Sequence, residues 1–277
     1  MRRRLDVELV RRGLASSRSE AADAIAAGRV SVAGRTAVKA ATMVAPAEPV
    51  SLLSAARPFA SRGGEKLASA LDEFGVDPSR RRALDAGAST GGFTDCLLAR
   101  GASHVIAVDV GYGQLDWRLR EDERVTVMER TNVRDLTPDT LPYAPEVLTA
   151  DLSFIALRTV VPALARCAGD GAEFVLLVKP QFEAGRDDVG GGGVVRDPAA
   201  WARAIGSVAD ACRQSGLAVE GVAPSSLLGP AGNAEFFVRA RRDGTAAGAE
   251  RLSAWVSAAV ERAAAVRDTA GDRTAPS

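Results

Sequence analysis

Two lysines and two carboxylates are the residues of this chain best suited to moving a proton. Only three of the 35 basic residues are lysines, so the chain uses arginine wherever a cation alone would serve. A lysine becomes a general base once it loses its proton, whereas an arginine keeps its proton in proteins. Two of the three lysines belong to the candidate set, which is Lys66, Asp151, Lys179 and Glu235.

All four residues border elements that a parallel sheet would bring together. Asp151 and Lys179 each end a predicted strand, and Glu235 begins one. Lys66 lies on an amphipathic helix before the first strand. In an open α/β sheet the carboxyl ends of the strands meet at the crevice where ligands bind. Two lysines there favour the neutral form of one amine by like-charge repulsion, while the acids orient it. The alternative interpretation is surface ion pairs near a cleft.

A glycine-rich segment after the first predicted strand could hold a nucleoside cofactor. Its glycines let the backbone approach a ligand, with helix N–H groups directed at it. The spacing matches neither the G-x-G-x-x-G loop of nicotinamide enzymes nor a P-loop. Asp109 ends the next strand, where it could accept hydrogen bonds from ribose hydroxyls; a glycine turn beside a solvated Asp is the alternative. The predicted cofactor residues of the segment are Asp85, Gly87, Ala88, Ser89, Thr90, Gly91, Gly92 and Phe93.

A second glycine-rich stretch, from Gly185 to Pro198, follows Lys179 and contains Arg186 and Arg196. Two arginines beside an active site would suit a lid or a phosphate contact. A disordered insertion is an equally good interpretation.

The first part of the chain is basic, although the formal net charge of all 277 residues is zero. Residues 1–66 contain twelve basic and six acidic residues. Apolar spacing predicts a helix near residues 4–12, a second helix capped by Ser16 or Ser17, and a hairpin over 29–38. Arginines on this module could contact RNA phosphates, and a solvated basic face is the alternative. The candidates are Arg3, Arg4, Arg11, Arg18, Arg29 and Arg35.

Beyond the basic module, seven short apolar runs alternate with helical segments. This alternation predicts a doubly wound α/β sheet behind a small α+β domain. The predicted strands are near 83–84, 105–109, 125–128, 147–151, 174–178, 217–222 and 235–238. We predict a first domain over 1–56, a linker over 57–60, a second domain over 61–242, and a tail over 243–277. Within that tail, residues 252–266 are expected to form a helix and 267–277 to be disordered.

Other function classes are disfavoured by composition. Cys96, Cys167, Cys212 and the single histidine, His104, have neither zinc-site nor disulfide spacing. The N-terminus does not have the pattern of a secretory signal, and no apolar run reaches the roughly 18 residues of a membrane span. We expect a soluble, cytoplasmic protein in a reducing compartment, without a metal.

The motifs resemble known families over nearly the whole chain. Residues 62–239 resemble the FtsJ-like ribose 2'-O-methyltransferases, whose Lys-Asp-Lys-Glu order is matched by the four candidate residues. Residues 4–50 resemble the RNA-binding module of ribosomal protein S4, through Gly13-Leu14-Ala15, Ser17-Arg18 and Gly28-Arg29-Val30. The domain order, with Ser61-Arg62-Gly63-Gly64-Glu65-Lys66-Leu67 and Val178-Lys179-Pro180-Gln181-Phe182-Glu183, is similar to the TlyA family.

This resemblance implies a Rossmann-like sheet and 2'-O-methylation of cytidine in ribosomal RNA of both subunits. It also implies a link to susceptibility to capreomycin-type antibiotics. The expected cofactor is S-adenosylmethionine, lying across Asp85–Gly92, with Asp109 on its ribose, Asn132 near its adenine and Asp151 beside it. Lys179 is expected to deprotonate the ribose hydroxyl.

Two further implications and two rival functions follow from the same resemblance. Arg57-Pro58-Phe59-Ala60 corresponds to the interdomain linker, but departs from the Arg-Ala-Trp-Val form of some members. A haemolysin or pore former is one alternative, since family members often carry that label. A ribosome-binding factor without catalysis is the other.

Overall fold

The computed structural model describes residues 2–15, 17–26, 28–52, 58–185 and 190–272. Its internal contacts divide the chain into two compact units, Met1–Pro58 and Phe59–Ser277. The predicted helix cap at Ser16, Arg57 of the linker, Arg186 of the second glycine-rich stretch and the last five residues lie outside the described residues.

The first unit packs two helices against short strands. Its elements are β1 (Arg3–Arg4), α1 (Leu5–Arg11), α2 (Arg18–Ala26), β2 (Val30–Val32), β3 (Arg35–Ala37), β4 (Met43–Val44) and β5 (Val50–Leu52). Strand β2 pairs antiparallel with β3 and with β5, and β1 pairs with β4. Leu5, Leu9 and Ile25 form its core with Val30. The helices and the hairpin agree with expectation, but β1, β4 and β5 were missed because two- and three-residue strands leave no periodic pattern.

The second unit has seven strands and seven helices among its described residues. They are α3 (Arg62–Phe74), β6 (Arg82–Ala86), α4 (Gly92–Ala99), β7 (His104–Val108), α5 (Trp117–Arg120), β8 (Val125–Met128), β9 (Val147–Ala150), α6 (Val161–Cys167), β10 (Glu173–Val178), α7 (Pro180–Glu183), α8 (Pro198–Gln214), β11 (Leu217–Pro224), β12 (Phe236–Arg242) and α9 (Ala249–Asp272). One-turn 3-10 helices occur at Val133–Asp135, Pro138–Thr140, Leu157–Thr159 and Gly191–Gly193.

The seven strands form one sheet in the order β11-β12-β10-β9-β6-β7-β8. Neighbours from β10 through β9, β6 and β7 to β8 are parallel, whereas β12 is antiparallel to both β10 and β11. Helices cover both faces, since two separate hydrophobic clusters draw on opposite sides of the strands. The predicted seven-stranded α/β sheet is confirmed.

The single antiparallel strand decides where the site lies. Asp151 follows the end of β9 and Lys179 follows the end of β10. Val178 of β10 is paired with Phe236 of β12, so Glu235, one residue before β12, lies at the same edge. The beginning of β12 therefore lies at the same edge of the sheet as the ends of β9 and β10, and Glu235 meets Asp151 and Lys179 at one crevice.

The C-terminal helix is longer than predicted. Helix α9 runs to Asp272, whereas the sequence predicted disorder from residue 267. Alanine-rich sequence at Ala263–Ala265 favours continuation of the helix once its first turns pack on β11 and α8. None of the helices within the described ranges is long and apolar enough to cross a membrane.

Candidate active site

Two lysine–carboxylate pairs occupy the carboxyl edge of the sheet. Lys66 Nζ donates to Glu235 Oε2 at 2.5 Å, and both side chains are buried. Lys179 Nζ forms an ion pair with Asp151 Oδ1 at 2.6 Å. Lys179 also donates to Ser153 Oγ at 3.1 Å. The four candidate residues thus form one deeply buried pair and one pair at the margin of solvent.

Burial and neighbouring charges have opposite effects on Glu235. Removal from water raises the pKa of this carboxyl, while the positive charges of Lys66 and Lys179 act to lower it. The charge of Asp151 raises it further. Because Lys179 and Asp151 both act on Glu235, the two pairs are electrostatically coupled.

A cavity of about 540 Å³ opens beside the Lys179–Asp151 pair. Pockets that bind small molecules in proteins span roughly 300–1,000 Å³, so the cavity has the size of a cofactor site. Five residues predicted to contact a cofactor line it, namely Gly87, Ser89, Asp109, Asn132 and Asp151. The remaining lining residues are Val110, Gln114, Val133, Leu152, Ser153, Phe154, Ile155 and Val160.

Two backbone N–H groups hold the side chain of Asp109 at the cavity wall. Its Oδ2 accepts the N–H of Ser89 at 2.8 Å, and its Oδ1 accepts the N–H of Gly111 at 2.6 Å. Each carboxylate oxygen has two acceptor positions, so both oxygens keep one for a ligand hydroxyl. The geometry fits recognition of a ribose.

Gly87 lets the glycine-rich segment pass close to Asp151. Its φ is +84°, and a Cβ atom there would lie 2.5 Å from the carbonyl oxygen of Asp151. A larger residue would push the two segments apart. Ala88, Thr90, Gly91, Gly92 and Phe93 do not line the cavity; the Phe93 side chain packs into the core and Gly92 begins α4.

Asp85 lies behind the cavity wall rather than on it. The side chain is fully buried and accepts the Thr94 hydroxyl at 2.7 Å. Burial raises the pKa of Asp85 to about 7, the Thr94 hydrogen bond opposes this, and the charge of Asp151 adds to it. A cofactor would therefore meet the loop that Asp85 supports, not its carboxyl.

Aromatic and hydroxyl groups after Asp151 were missed as site residues. Phe154 has a φ of +64° and is 92% exposed at the cavity, with its ring centroid 5.4 Å from that of Phe182. Ser153 joins Lys179 directly. Both lie within three residues of Asp151, and a hydroxyl and an aromatic side chain so soon after a candidate catalytic residue were the available signal.

The second half of the stretch after Lys179 is anchored. Asn233 donates to the carbonyl of Gly193 at 3.0 Å and accepts the N–H of Val195 at 2.9 Å. Asn233 lies two residues before Glu235, so this half of the stretch is tied to the segment that positions Glu235. The disordered interpretation does not hold for residues 190–198.

The six candidate RNA-binding arginines of the first unit fall into two groups. Arg4 and Arg18 pair with Asp6, and Arg11 pairs with Glu8. Hydrogen bonds from Arg4 and from Arg11, respectively, lower the pKa of each of these carboxyls to about 2. Within the described part of the unit, Arg3, Arg29 and Arg35 have no carboxylate partner, so their charge is uncompensated.

Comparison with known families assigns both units. A model described as FtsJ-like methyltransferase matches residues 59–242, and one described as S4 domain matches residues 3–50.

Across the described residues, no cluster of three or more His, Cys, Asp or Glu side chains is arranged to hold a metal.

Individual relatives extend the match over most of the chain. It is 52% identical over 238 residues to the 16S/23S rRNA (cytidine-2'-O)-methyltransferase TlyA of Mycobacterium tuberculosis, covering 86% of this chain and 89% of the relative. It is 36% identical over 234 residues to Hemolysin A of Brachyspira hyodysenteriae, covering 84% and 97%. A solved structure from Streptococcus thermophilus, whose description also uses the hemolysin name, superimposes with a TM-score of 0.70 at 35% identity, covering 94% and 96%.

Proposed function

The chain belongs to the FtsJ-like methyltransferase family and is related to its TlyA members, and from that premise we propose that it methylates the ribose 2'-hydroxyl of cytidine in ribosomal RNA of both subunits. S-adenosylmethionine is the proposed methyl donor, and ribosomal subunits in the cytoplasm are the proposed partners. The observation that supports this most directly is the placement of two lysine–carboxylate pairs beside a cavity of cofactor size.

The residues of the cavity fit a nucleoside cofactor. Asp109 would accept the ribose hydroxyls with the acceptor positions that Ser89 and Gly111 leave open. Asn132 would contact the base, and Gly87 lets the ligand approach the backbone beside Asp151. When bound, the cofactor supplies an electrophilic methyl group on a sulfonium.

Proton removal is the chemical task left to the side chains. The amine of Lys179 has three positions around Nζ. One faces Asp151 at 2.6 Å and one donates to Ser153. The third would face the ribose 2'-hydroxyl, so that in its neutral form Lys179 takes the hydroxyl proton as the oxygen attacks the methyl group. Asp151 stabilises the ammonium that results.

The buried pair of Lys66 and Glu235 supports the proton transfer at Lys179. Lys66 compensates Glu235, whose carboxylate would otherwise be an unpaired charge at this edge of the sheet. When Glu235 is ionised and paired with Lys66, its charge adds to that of Asp151 in stabilising the ammonium that forms on transfer. The pair acts by electrostatics and does not need to reach the substrate.

The first unit, Met1–Pro58, includes the domain that the sequence predicted over residues 1–56. We propose that it supplies the affinity for RNA. Arg3, Arg29 and Arg35 have the uncompensated charge that phosphate contacts need. Arg4, Arg11 and Arg18 also stabilise buried carboxylates, so their part in RNA binding is secondary. Residues 61–242 would perform methyl transfer.

Mapping of ribose methylation tests the proposal. Ribosomal RNA from cells lacking the protein, incubated with the purified chain and S-adenosylmethionine, should gain cytidine 2'-O-methyl groups by mass spectrometry. Lys179→Ala and Lys179→Arg should both lose activity by roughly 10²–10⁴-fold, since neither replacement is a base. Both should still bind S-adenosylmethionine in calorimetry. Full activity of Lys179→Arg would contradict the assigned base.

The same preparations separate the rival functions. A ribosome-binding factor without catalysis would fail to bind S-adenosylmethionine. The hemolysin names of relatives are tested by adding the wild-type chain to dye-loaded phosphatidylcholine vesicles, where we expect no dye release at concentrations that support methylation.

A further inference from the structure

The two members of the Lys179–Asp151 pair lie on the segments that follow two neighbouring strands, and the segment after Lys179 contains the short helix α7. Asp151 begins the segment over 151–157 that leaves β9, and Lys179 begins the segment over 179–184 that leaves β10. The first of these also forms the cavity wall from Leu152 to Ile155. The direct pairing of β9 with β10 ends at Ala150 and Leu176. Beyond that point Asp151 N–H still donates to the carbonyl of Ala86 at 3.0 Å, and Val178 still pairs with Phe236 of β12. Strand pairing therefore holds the first residue of each segment, but it does not join the two segments to each other beyond Ala150 and Leu176.

Glu183 links the far ends of these segments. Its Oε1 accepts the backbone N–H of Leu157, and its Oε2 accepts Arg158 Nη1 at 2.8 Å. The same Arg158 atom donates to the backbone carbonyl of Glu183 at 2.8 Å. The carboxylate is thus bound to two consecutive residues at the end of the segment that begins at Asp151. The segments are then joined at Lys179–Asp151, at Phe182–Phe154 and at Glu183.

Glu183 makes these contacts from a buried position. Its side chain is 1% exposed, whereas that of Arg158 is 41% exposed. Burial raises the pKa of Glu183, and the Leu157 N–H and Arg158 oppose that change. A buried carboxylate without its partners is costly, so the contacts restrict where Leu157 and Arg158 can lie.

We propose that Glu183 is a positioning residue that sets the distance between Asp151 and Lys179 by clamping the segment after β9 to the turn after β10. The inference rests on the proposed function and deepens it. Glu183 does not contact the substrate; it acts through Leu157, Arg158 and the cavity wall between them and Asp151. A displacement of about 1 Å at a reacting group can reduce a rate roughly 100-fold, so loss of the clamp should appear in kcat.

Strand β10, which leads into the Lys179 segment, provides a matched control. Glu173, at the opposite end of β10, is also buried and pairs with Arg239 at 3.1 Å. It lies at the edge of the sheet away from the cavity. Glu173→Ala therefore removes a comparable ion pair without touching either segment of the site, and any general effect of lost stability should appear equally in both variants.

Full-length Glu183→Ala, Glu183→Gln and Glu173→Ala should be compared with the wild type by steady-state methylation of ribosomal RNA. We expect Glu183→Ala to lower kcat roughly 100-fold, with KM for RNA within about two-fold. Glu183→Gln should lose less, because its amide oxygen still accepts the Leu157 N–H. Glu173→Ala should keep kcat within about two-fold, even where its melting temperature falls as far as that of Glu183→Ala.

The outcomes are distinct. Equal kcat for Glu183→Ala and Glu173→Ala, at similar losses of melting temperature, would overturn the inference. If Glu183→Ala fails to fold, the Glu183→Gln variant decides the matter. A kcat equal to that of the wild type would then overturn the inference.

Failure of the proposed function can be told apart from failure of this inference. If the wild type binds S-adenosylmethionine but methylates no RNA, the proposed function fails and calorimetry decides the inference. The clamp then predicts a Kd for S-adenosylmethionine at least about ten-fold weaker in Glu183→Ala than in Glu173→Ala, because the clamped segment forms the cavity wall. Equal Kd values would overturn it, and absence of binding by the wild type would overturn both.

Discussion

Lys66 Nζ lies 2.5 Å from Glu235 Oε2, although the two residues are 169 positions apart in the chain. The lysine is 6% and the glutamate 2% exposed. Helix α3 brings Lys66 to the sheet edge, and the antiparallel strand β12 places Glu235 there. A buried ion pair of this kind contributes little net stability. Removal of one partner, however, destabilises the fold, because it leaves the other as an unpaired buried charge.

Removal of Lys66 should therefore destabilise the second unit. We expect Lys66→Met to lower the free energy of unfolding by about 3–5 kcal/mol, since Glu235 is left as an unpaired buried charge. The loss should be smaller at pH 5 than at pH 8, because burial raises the pKa of Glu235 and favours its neutral form. Urea unfolding measures both values.

Two companion variants sharpen this measurement. Lys39→Met, at an exposed position, should change stability little. The double variant Lys66→Met with Glu235→Leu should recover much of the loss, because no charge then remains buried. A single-variant loss below about 1 kcal/mol would show that Glu235 finds another partner.

Asp85 should make stability depend on pH in the direction opposite to a salt-bridged acid. Its folded pKa is about 7, above the roughly 3.9 of an unfolded Asp. The stability this group contributes is present in full below about pH 4 and is lost as pH rises through about 7. Asp85→Asn does not titrate, so its melting temperature relative to that of the wild type should rise between pH 5 and pH 8.

An exposed aspartate serves as the reference for this trend. Hydrogen bonding to Arg100 lowers the pKa of Asp72, so Asp72→Asn should not gain on the wild type as pH rises. Parallel pH trends for the Asp85→Asn and Asp72→Asn variants would contradict the raised pKa of Asp85.

Gly87→Ala should weaken binding of S-adenosylmethionine. The added Cβ would lie 2.5 Å from the backbone oxygen of Asp151, so the cavity wall must shift. We expect Kd to rise by at least roughly ten-fold, because the ligand contacts depend on this close approach. Gly75→Ala is the matched control: its φ is also positive, but nothing lies within 4 Å of the added atom. It should cost about 1–2 kcal/mol of stability and leave Kd unchanged.

The arginines of the first unit should differ in their effect on RNA affinity. Arg29→Ala and Arg35→Ala should each weaken binding and reduce the slope of log Kd against log salt concentration by roughly 0.7–0.9, as expected for one lost phosphate contact. Arg11→Ala should change the slope less, since Arg11 already pairs with Glu8 at 2.6 Å. Filter binding at several salt concentrations measures the slopes, and equal slopes for all three variants would contradict the distinction.

Much of the fold could be read from local patterns. Seven apolar runs predicted the seven strands of the sheet, because alternation and apolar content depend on neighbours along the chain. The short strands β1, β4 and β5 were missed. The pairing of β1 with β4 and of β5 with β2 forms them rather than any propensity of their own. The extent of α9 was underestimated for a similar reason, because packing extends a helix beyond its periodic core.

At the site, the sequence was informative about which types of residue could act, but not about which residues are in contact. Scarce lysines singled out Lys66 and Lys179, because a base requires an amine that can lose a proton. Glu183 carried no such signal: an acid at the end of a short helix has many ordinary uses, and only its contact with Leu157 and Arg158 distinguishes it.

By itself the sequence determined the chemistry available to this protein, since the types of side chain, the glycines of the cofactor loop and the alternation of strands and helices are local properties. Only the tertiary structure decided which groups meet. The antiparallel direction of β12 places Glu235 against Lys66, and the buried Asp6 and Glu8 take up the charge of Arg4, Arg11 and Arg18. The physical reason is that ion pairs and hydrogen bonds act over a few ångströms, and chain folding alone sets those distances.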